Sequence, residues 1–175
     1  MTEALLLVDV LKDFEHEDGD ALLASYRRRH PALVSLLAEA RGRGIPVLYA
    51  NDGAGRWDGN PEGLVRAAVE QGKAGELVAE VAPAGEEPIV LKAAYSAFEG
   101  TDLDERLRGL GVERLAVAGA ATEMCVFQTA LDAQRSGWGV AVRGDASATV
   151  DPRNEAIALD YLERVAGLEV VRASE

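Results

Sequence analysis

Leu115-Ala-Val-Ala-Gly-Ala-Ala-Thr-Glu-Met-Cys-Val-Phe-Gln-Thr-Ala-Leu-Asp-Ala133 changes character midway. Leu115 to Ala118 is a short, unbroken apolar run, the mark of a strand buried on both faces. Gly119, Ala120 and Ala121 make a small-residue turn. Thr122 is a candidate N-cap, and Glu123 onward reads as a helix. The segment places Cys125, the only cysteine in the chain, in the first turn of a helix directly after a strand. Unpaired N–H groups and the positive end of the helix dipole favour a thiolate there, and the same N–H groups can hold an oxyanion. Taken alone, Cys125 has two readings: a nucleophile, or a buried free cysteine packing as a small hydrophobe.

The same alternation extends in both directions. Leu5-Leu-Leu-Val8 is another continuous apolar run. Further strands are predicted at 45–50, 88–91, 140–142 and 168–171. Helices are predicted at 20–43, interrupted at Pro31, and near 74–80, 102–109, 123–136 and 152–165. This βα order argues for an α/β fold with a mostly parallel sheet and helices on both faces. Residues 51–73 are rich in Gly, Asn and Asp and read as a long loop in which a short helix could form; such loops often build sites.

A chain of 175 residues, 48% hydrophobic and 27% charged, fits one soluble domain spanning 1–175. A single cysteine excludes an internal disulfide. Met1-Thr-Glu-Ala runs into the first strand without a basic leader, so the cytoplasm is the expected compartment. No apolar run is long enough to span a bilayer. A net charge of −12 denies a nucleic-acid role its electrostatic footprint.

In open parallel sheets, ligands bind beyond the carboxyl ends of the strands. Strand one ends at Asp9, strand three at Lys92, and strand four leads to Cys125. Each has a plain alternative: Asp9 as a turn cap, Lys92 as a surface lysine. An acid, an ammonium and a thiol from three strand ends can converge if those strands are close.

The motifs Leu5-Leu-Leu-Val-Asp-Val-Leu-Lys-Asp-Phe14, Ile89-Val-Leu-Lys-Ala-Ala-Tyr-Ser-Ala-Phe98, Gly119-Ala-Ala-Thr-Glu-Met-Cys-Val126 and Gly144-Asp-Ala146 occur in that order. Together they resemble the isochorismatase-like cysteine hydrolase superfamily over nearly the whole chain. The resemblance implies a three-layer Rossmann-like fold with a six-stranded parallel sheet, an Asp9–Lys92–Cys125 triad and a homo-oligomer, dimer or larger. It implies hydrolysis of an amide or other C–N bond of a small molecule. It also maps a non-proline cis peptide to Ala120–Ala121, with the backbone N–H groups of Ala121 and Cys125 as oxyanion hole. No organic cofactor is required.

Departures from the family narrow the reading. Nicotinamidases of this superfamily carry an Asp and paired histidines after strand two. Here Asp52 is present, but His16 and His30 both lie upstream. One carboxylate is a poor transition-metal site, so the expectation is a metal-free subgroup, not a nicotinamidase proper. Cys125 favours acyl transfer over the vinyl-ether chemistry of isochorismatases. Phe14, Trp57, Tyr95 and Phe98 are candidates for the pocket wall, and Arg56 for contact with an anionic group. A cysteine beside a lysine at a helix start is expected to be partly ionised near neutral pH, provided Lys92 offsets Asp9. Two other functions remain at this point: a thiol-based redox sensor, which would have no resolving cysteine within the chain, and a catalytically silent oligomeric binding protein.

Overall fold

Glu3–Val8 (β1) sends successive side chains to opposite faces of a sheet, and both faces are covered. Leu5 and Leu7 join one apolar cluster; Ala4, Leu6 and Val8 join another. This is why the run is apolar without alternation. The structure, a computed structural model, describes residues 2–53 and 60–174.

The remaining strands are Val47–Asp52 (β2), Ile89–Lys92 (β3), Arg114–Gly119 (β4), Gly139–Arg143 (β5) and Glu169–Val171 (β6). They form one six-stranded sheet in the order β3-β2-β1-β4-β5-β6. All neighbouring pairs are parallel. The helices are Gly19–Gly42 (α1), Pro61–Glu70 (α2), Gly75–Glu80 (α3), Leu103–Gly109 (α4), Phe127–Arg135 (α5) and Pro152–Arg164 (α6). Leu22, Tyr26, Leu33 and Leu37 of α1 and Val78 of α3 pack on the Leu5/Leu7 face. Leu103 and Leu107 of α4, Ala130 and Ala133 of α5, and Leu159 and Leu162 of α6 pack on the other. The result is the expected α/β arrangement of three layers, with helices on both faces.

One local expectation is corrected. Helix α1 runs through Pro31 without a break. A proline removes one helical N–H, but Leu22, Tyr26 and His30 before it and Leu33 and Leu37 after it are all buried, so packing holds both halves in line. The stretch 51–73 contains a full ten-residue helix, α2. Its start carries a readable signal: Asn60 Oδ1 accepts from the Glu62 N–H, and Pro61 occupies the first turn, the favoured N-terminal chemistry.

The strand order reverses between β1 and β4, whose registers run from Glu3↔Arg114 to Val8↔Gly119. That crevice is where open α/β sheets take ligands. Gly119 lets the two strands close there. Its φ is +143°, and a Cβ at this position would lie 1.9 Å from the Val8 carbonyl oxygen. Gly119→Ala is therefore expected to cost ~3 kcal/mol or more, at or above the upper end of core overpacking. A denaturant melt of the purified variant tests this; an unchanged midpoint would mean that β1 and β4 separate without penalty.

Candidate active site

Asp9 follows β1 at the reversal point, with φ +51°, a left-handed backbone that Asp tolerates better than most residues. Its main-chain N–H donates to the Ala50 carbonyl at 2.8 Å. Its Oδ1 accepts the Asp52 N–H at 2.7 Å. Lys92 ends β3, which lies beyond β2 from β1, and its long side chain crosses the end of β2. Lys92 Nζ sits 2.8 Å from Asp9 Oδ2, donates to the Ala94 carbonyl at 3.0 Å and lies 3.5 Å from Cys125 Sγ. An ammonium has three N–H donors, and these contacts match them. Asp9 and Lys92 are only 1% and 4% exposed. The three side chains singled out from strand ends thus meet.

Cys125 is half-buried and stands in a single wide turn, Thr122–Val126, of π-helical pitch. The Val126 N–H reaches the Ala121 carbonyl at 3.3 Å, an i to i+5 bond. Thr122 is not the side-chain cap expected of it; Ala121 holds that position with no side-chain bond. Thr122 Oγ1 instead turns to the Ala148 carbonyl at 3.0 Å and Glu155 Oε1 at 3.3 Å. A hydroxyl with buried partners on another segment is spent there, and no sequence rule sees those partners. The Ala120–Ala121 peptide bond is cis.

Burial pushes the Cys125 thiol up to about 12, and the Asp9 charge acts in the same direction; Lys92 opposes them without prevailing. The expected partial ionisation near neutral pH is thus corrected: desolvation outweighs the lysine, and the resting group is a thiol. Burial works to lower the Lys92 pKa, but Asp9, and after it the interaction with Cys125, carry it above the ordinary lysine value, so it stays an ammonium.

These groups line a cavity of about 520 Å³ that also takes in Ala120 and Ala121. Of the aromatic candidates, Tyr95 is on its wall and 57% exposed. Phe14 is not on the wall: it is fully buried, edge-on to Tyr26 at 5.2 Å between ring centres. Its φ is +61°, and its ring belongs to the apolar cluster on the α1 face of the sheet. Phe98 likewise packs partly buried against the core of the α4–α5 face and is absent from the wall. Trp57 and Arg56 lie outside the described residues.

The wall includes residues that sequence reasoning missed: Lys12 and His16 before α1, Met124 and Gln128 around the cysteine, and Val150 before α6. Met124 and Gln128 were within reach, since they bracket Cys125 at helical spacing. Val150 had no local signal. Burial first, and then the Lys12 charge, lower the His16 pKa below its ordinary value.

A metal has few ligands to use. Asp52 and His16 both border the cavity, but His30 is engaged with the Leu77 carbonyl at 2.9 Å. Among the described residues no group of three His, Cys, Asp or Glu side chains is placed to hold a metal ion. The residues do not fit the Asp and paired histidines of the metal-binding relatives.

The six-stranded parallel α/β fold is shared with known proteins. The isochorismatase domain model matches residues 3–175, and the chain belongs to the isochorismatase family. It is similar to the isochorismatase family protein YaaI of Bacillus subtilis (strain 168), 27% identical over 168 residues that cover 96% of this chain and 92% of that protein. A streptothricin hydrolase of Streptomyces noursei is 36% identical over 154 residues, 85% of this chain and 55% of that protein. Among solved structures, N-carbamoylsarcosine amidase from Thermoplasma acidophilum matches with a TM-score of 0.75 at 28% identity, covering 100% of this chain and 98% of that one.

The thiol makes a direct prediction. Iodoacetamide should label Cys125 slowly at pH 7 in the folded protein, and faster as pH rises. Asp9→Asn removes a group that raises the thiol pKa and should shift the labelling profile to lower pH. Lys92→Met removes the one that lowers it and should shift the profile to higher pH. With one cysteine in the chain, intact mass spectrometry reads the site directly. Fast wild-type labelling at pH 7 would contradict a protonated resting thiol.

Proposed function

We propose that this isochorismatase-family chain hydrolyses a non-peptide C–N bond of a small-molecule amide through a thioester on Cys125. The observation that carries the reading is Lys92 Nζ in contact with both Asp9 Oδ2 and Cys125 Sγ on the cavity wall. As Sγ attacks the substrate carbonyl, its proton passes to Asp9. Lys92 holds the carboxylate and the developing thiolate in place. The N–H groups of Ala121 and Cys125 receive the tetrahedral oxyanion. Collapse breaks the C–N bond, and Asp9 gives its proton to the departing amine. A water then attacks the thioester while Asp9 accepts its proton; the acid leaves and Cys125 regains its hydrogen.

A protonated resting thiol suits this cycle. The proton that Asp9 later delivers to the amine is the one it takes from Sγ, so the site needs no preformed thiolate. The names of the relatives support C–N hydrolysis as the reaction class, and a donor set short of three grouped ligands among the described residues supports a route without metal. Ile157 and Tyr161, exposed at successive turns of α6, and Val165, exposed at its C-terminal cap, support a homo-oligomer, measurable by light scattering.

Cys125→Ala should abolish ammonia or amine release across a panel of small amides, ureas and carbamoyl compounds while the fold persists. Asp9→Asn and Lys92→Met should each lower turnover by roughly two or more orders of magnitude per folded molecule. Turnover should survive chelation. Near wild-type release by Cys125→Ala would remove the covalent route, and a stoichiometric tightly bound metal lost together with activity would remove the metal-free one.

A further inference from the structure

Glu123 stands two residues before Cys125 and is committed to a different part of the chain. Its Oε1 accepts the Val150 N–H at 2.9 Å and the Asp151 N–H at 3.0 Å. Its Oε2 accepts the Thr149 hydroxyl at 2.8 Å. Asp151 is the N-cap of α6, and its own Oδ1 accepts the Arg153 N–H. The carboxylate therefore sits at the positive end of a thirteen-residue helix, where negative charge is favoured. The segment it grips is anchored in turn: the Thr149 N–H donates to Ser25 Oγ of α1 at 3.0 Å, and Ala148 bridges to Ala120.

These bonds matter because they tie the turn bearing Cys125 to a segment far away in sequence. The cysteine turn is one π-helical turn with no side-chain cap. Its lateral ties are Thr122, to Ala148 and Glu155, and Glu123. Val150, held by Glu123, is itself part of the cavity wall. One carboxylate thus joins the cysteine turn to a residue of the cavity wall.

We infer that Glu123 is a positioning residue that holds Cys125 Sγ against Lys92 and Asp9 by clamping the cysteine turn to the start of α6. This rests on the cysteine-hydrolase reading for its effect on turnover, but not for its effect on the thiol. The thiol pKa is raised by burial and by Asp9, and both act only while Sγ is held in place. Releasing the clamp lets the sulfur move outward. The thiol then becomes easier to ionise and alkylate while becoming a poorer catalyst, in a protein that remains folded.

The test compares Glu123→Ala, Glu123→Gln and Thr149→Val with the wild type. Each is assayed for kcat and KM on the best amide of the panel and for the pH profile of iodoacetamide labelling of Cys125 in the folded protein. Glu123→Ala should lower kcat roughly 10- to 100-fold, the scale of a misplaced reacting group, with KM within about 3-fold. Its labelling profile should move to lower pH. Glu123→Gln keeps an oxygen for the two backbone N–H groups and an amide donor for Thr149 Oγ1, and should recover most of the activity. Thr149→Val removes one of the three bonds and should give the same pattern in weaker form, which keeps the test decisive if Glu123→Ala fails to fold. Folded variants with wild-type labelling profiles and wild-type kcat would overturn the inference, even if they melt at lower temperature. If the wild type shows no Cys125-dependent turnover, the hydrolase reading fails, while the labelling profiles still decide the role of Glu123.

Discussion

The ammonium of Lys92, buried between a carboxylate, a carbonyl and a thiol, is the contact around which the carboxyl edge of the sheet is organised. A charge taken out of water is costly unless its hydrogen-bonding capacity is met. Here Asp9, Ala94 and Cys125 provide three acceptors for three donors. Removing one partner of such a pair leaves an uncompensated buried charge, typically a loss of about 3–5 kcal/mol. The pair is therefore better understood as a device of specificity than of stability. It fixes the Asp9 carboxyl group, 1% exposed, beside a thiol that burial pushes up, which is the juxtaposition the proposed proton transfer requires.

That contact depends on sheet order. Asp9 and Cys125 come from adjacent strands at the reversal point, but Lys92 comes from β3, with β2 between. A shorter side chain would not cross. The loops that complete the edge are held by buried polar groups with specific partners. Asn51 accepts the Leu11 N–H and donates to the Leu11 carbonyl, pinning the loop after Asp9 to β2. Thr129 Oγ1 accepts the Ala97 N–H, tying the loop after Lys92 to α5. Ser147 Oγ accepts the Gly119 N–H behind the cysteine turn. Each of the three triad segments thus has its own buried polar tie, and such fully satisfied networks rigidify the groups they join. The proposed mechanism asks for this arrangement, in which the side chains assigned to the reaction are held by neighbours that take no part in it.

Much of this was legible in the chain itself. Continuous apolar runs such as Leu5 to Val8 and Leu115 to Ala118 identified strands buried on both faces, because a run without alternation has no solvent side. The βα order pointed to a parallel sheet, and parallel sheets direct ligands to strand ends. Asp9, Lys92 and Cys125 were singled out on that ground, and the structure brings them together. Helix α2 was also announced, by Asn60-Pro61, but the surrounding glycines and polar residues masked it.

Other features belonged to the tertiary structure alone. Phe14 and Phe98 stand in the sequence just where a pocket wall would, yet Phe14 is buried in the core against Tyr26 and Phe98 packs against the cluster on the other face of the sheet. Thr122 has the chemistry of a helix cap, but partners on Ala148 and Glu155 claim its hydroxyl. The state of the thiol was misjudged for the same reason. Helix position and a neighbouring lysine are readable from sequence and favour a thiolate; the depth of burial, which outweighs them, exists only once the layers have closed. Sequence patterns encode local preference and periodicity, so they determined the strands, their direction and the residues at their ends. Desolvation and long-range partnership are properties of the packed whole, and these decided which side chains face the cavity and which form of the cysteine rests there.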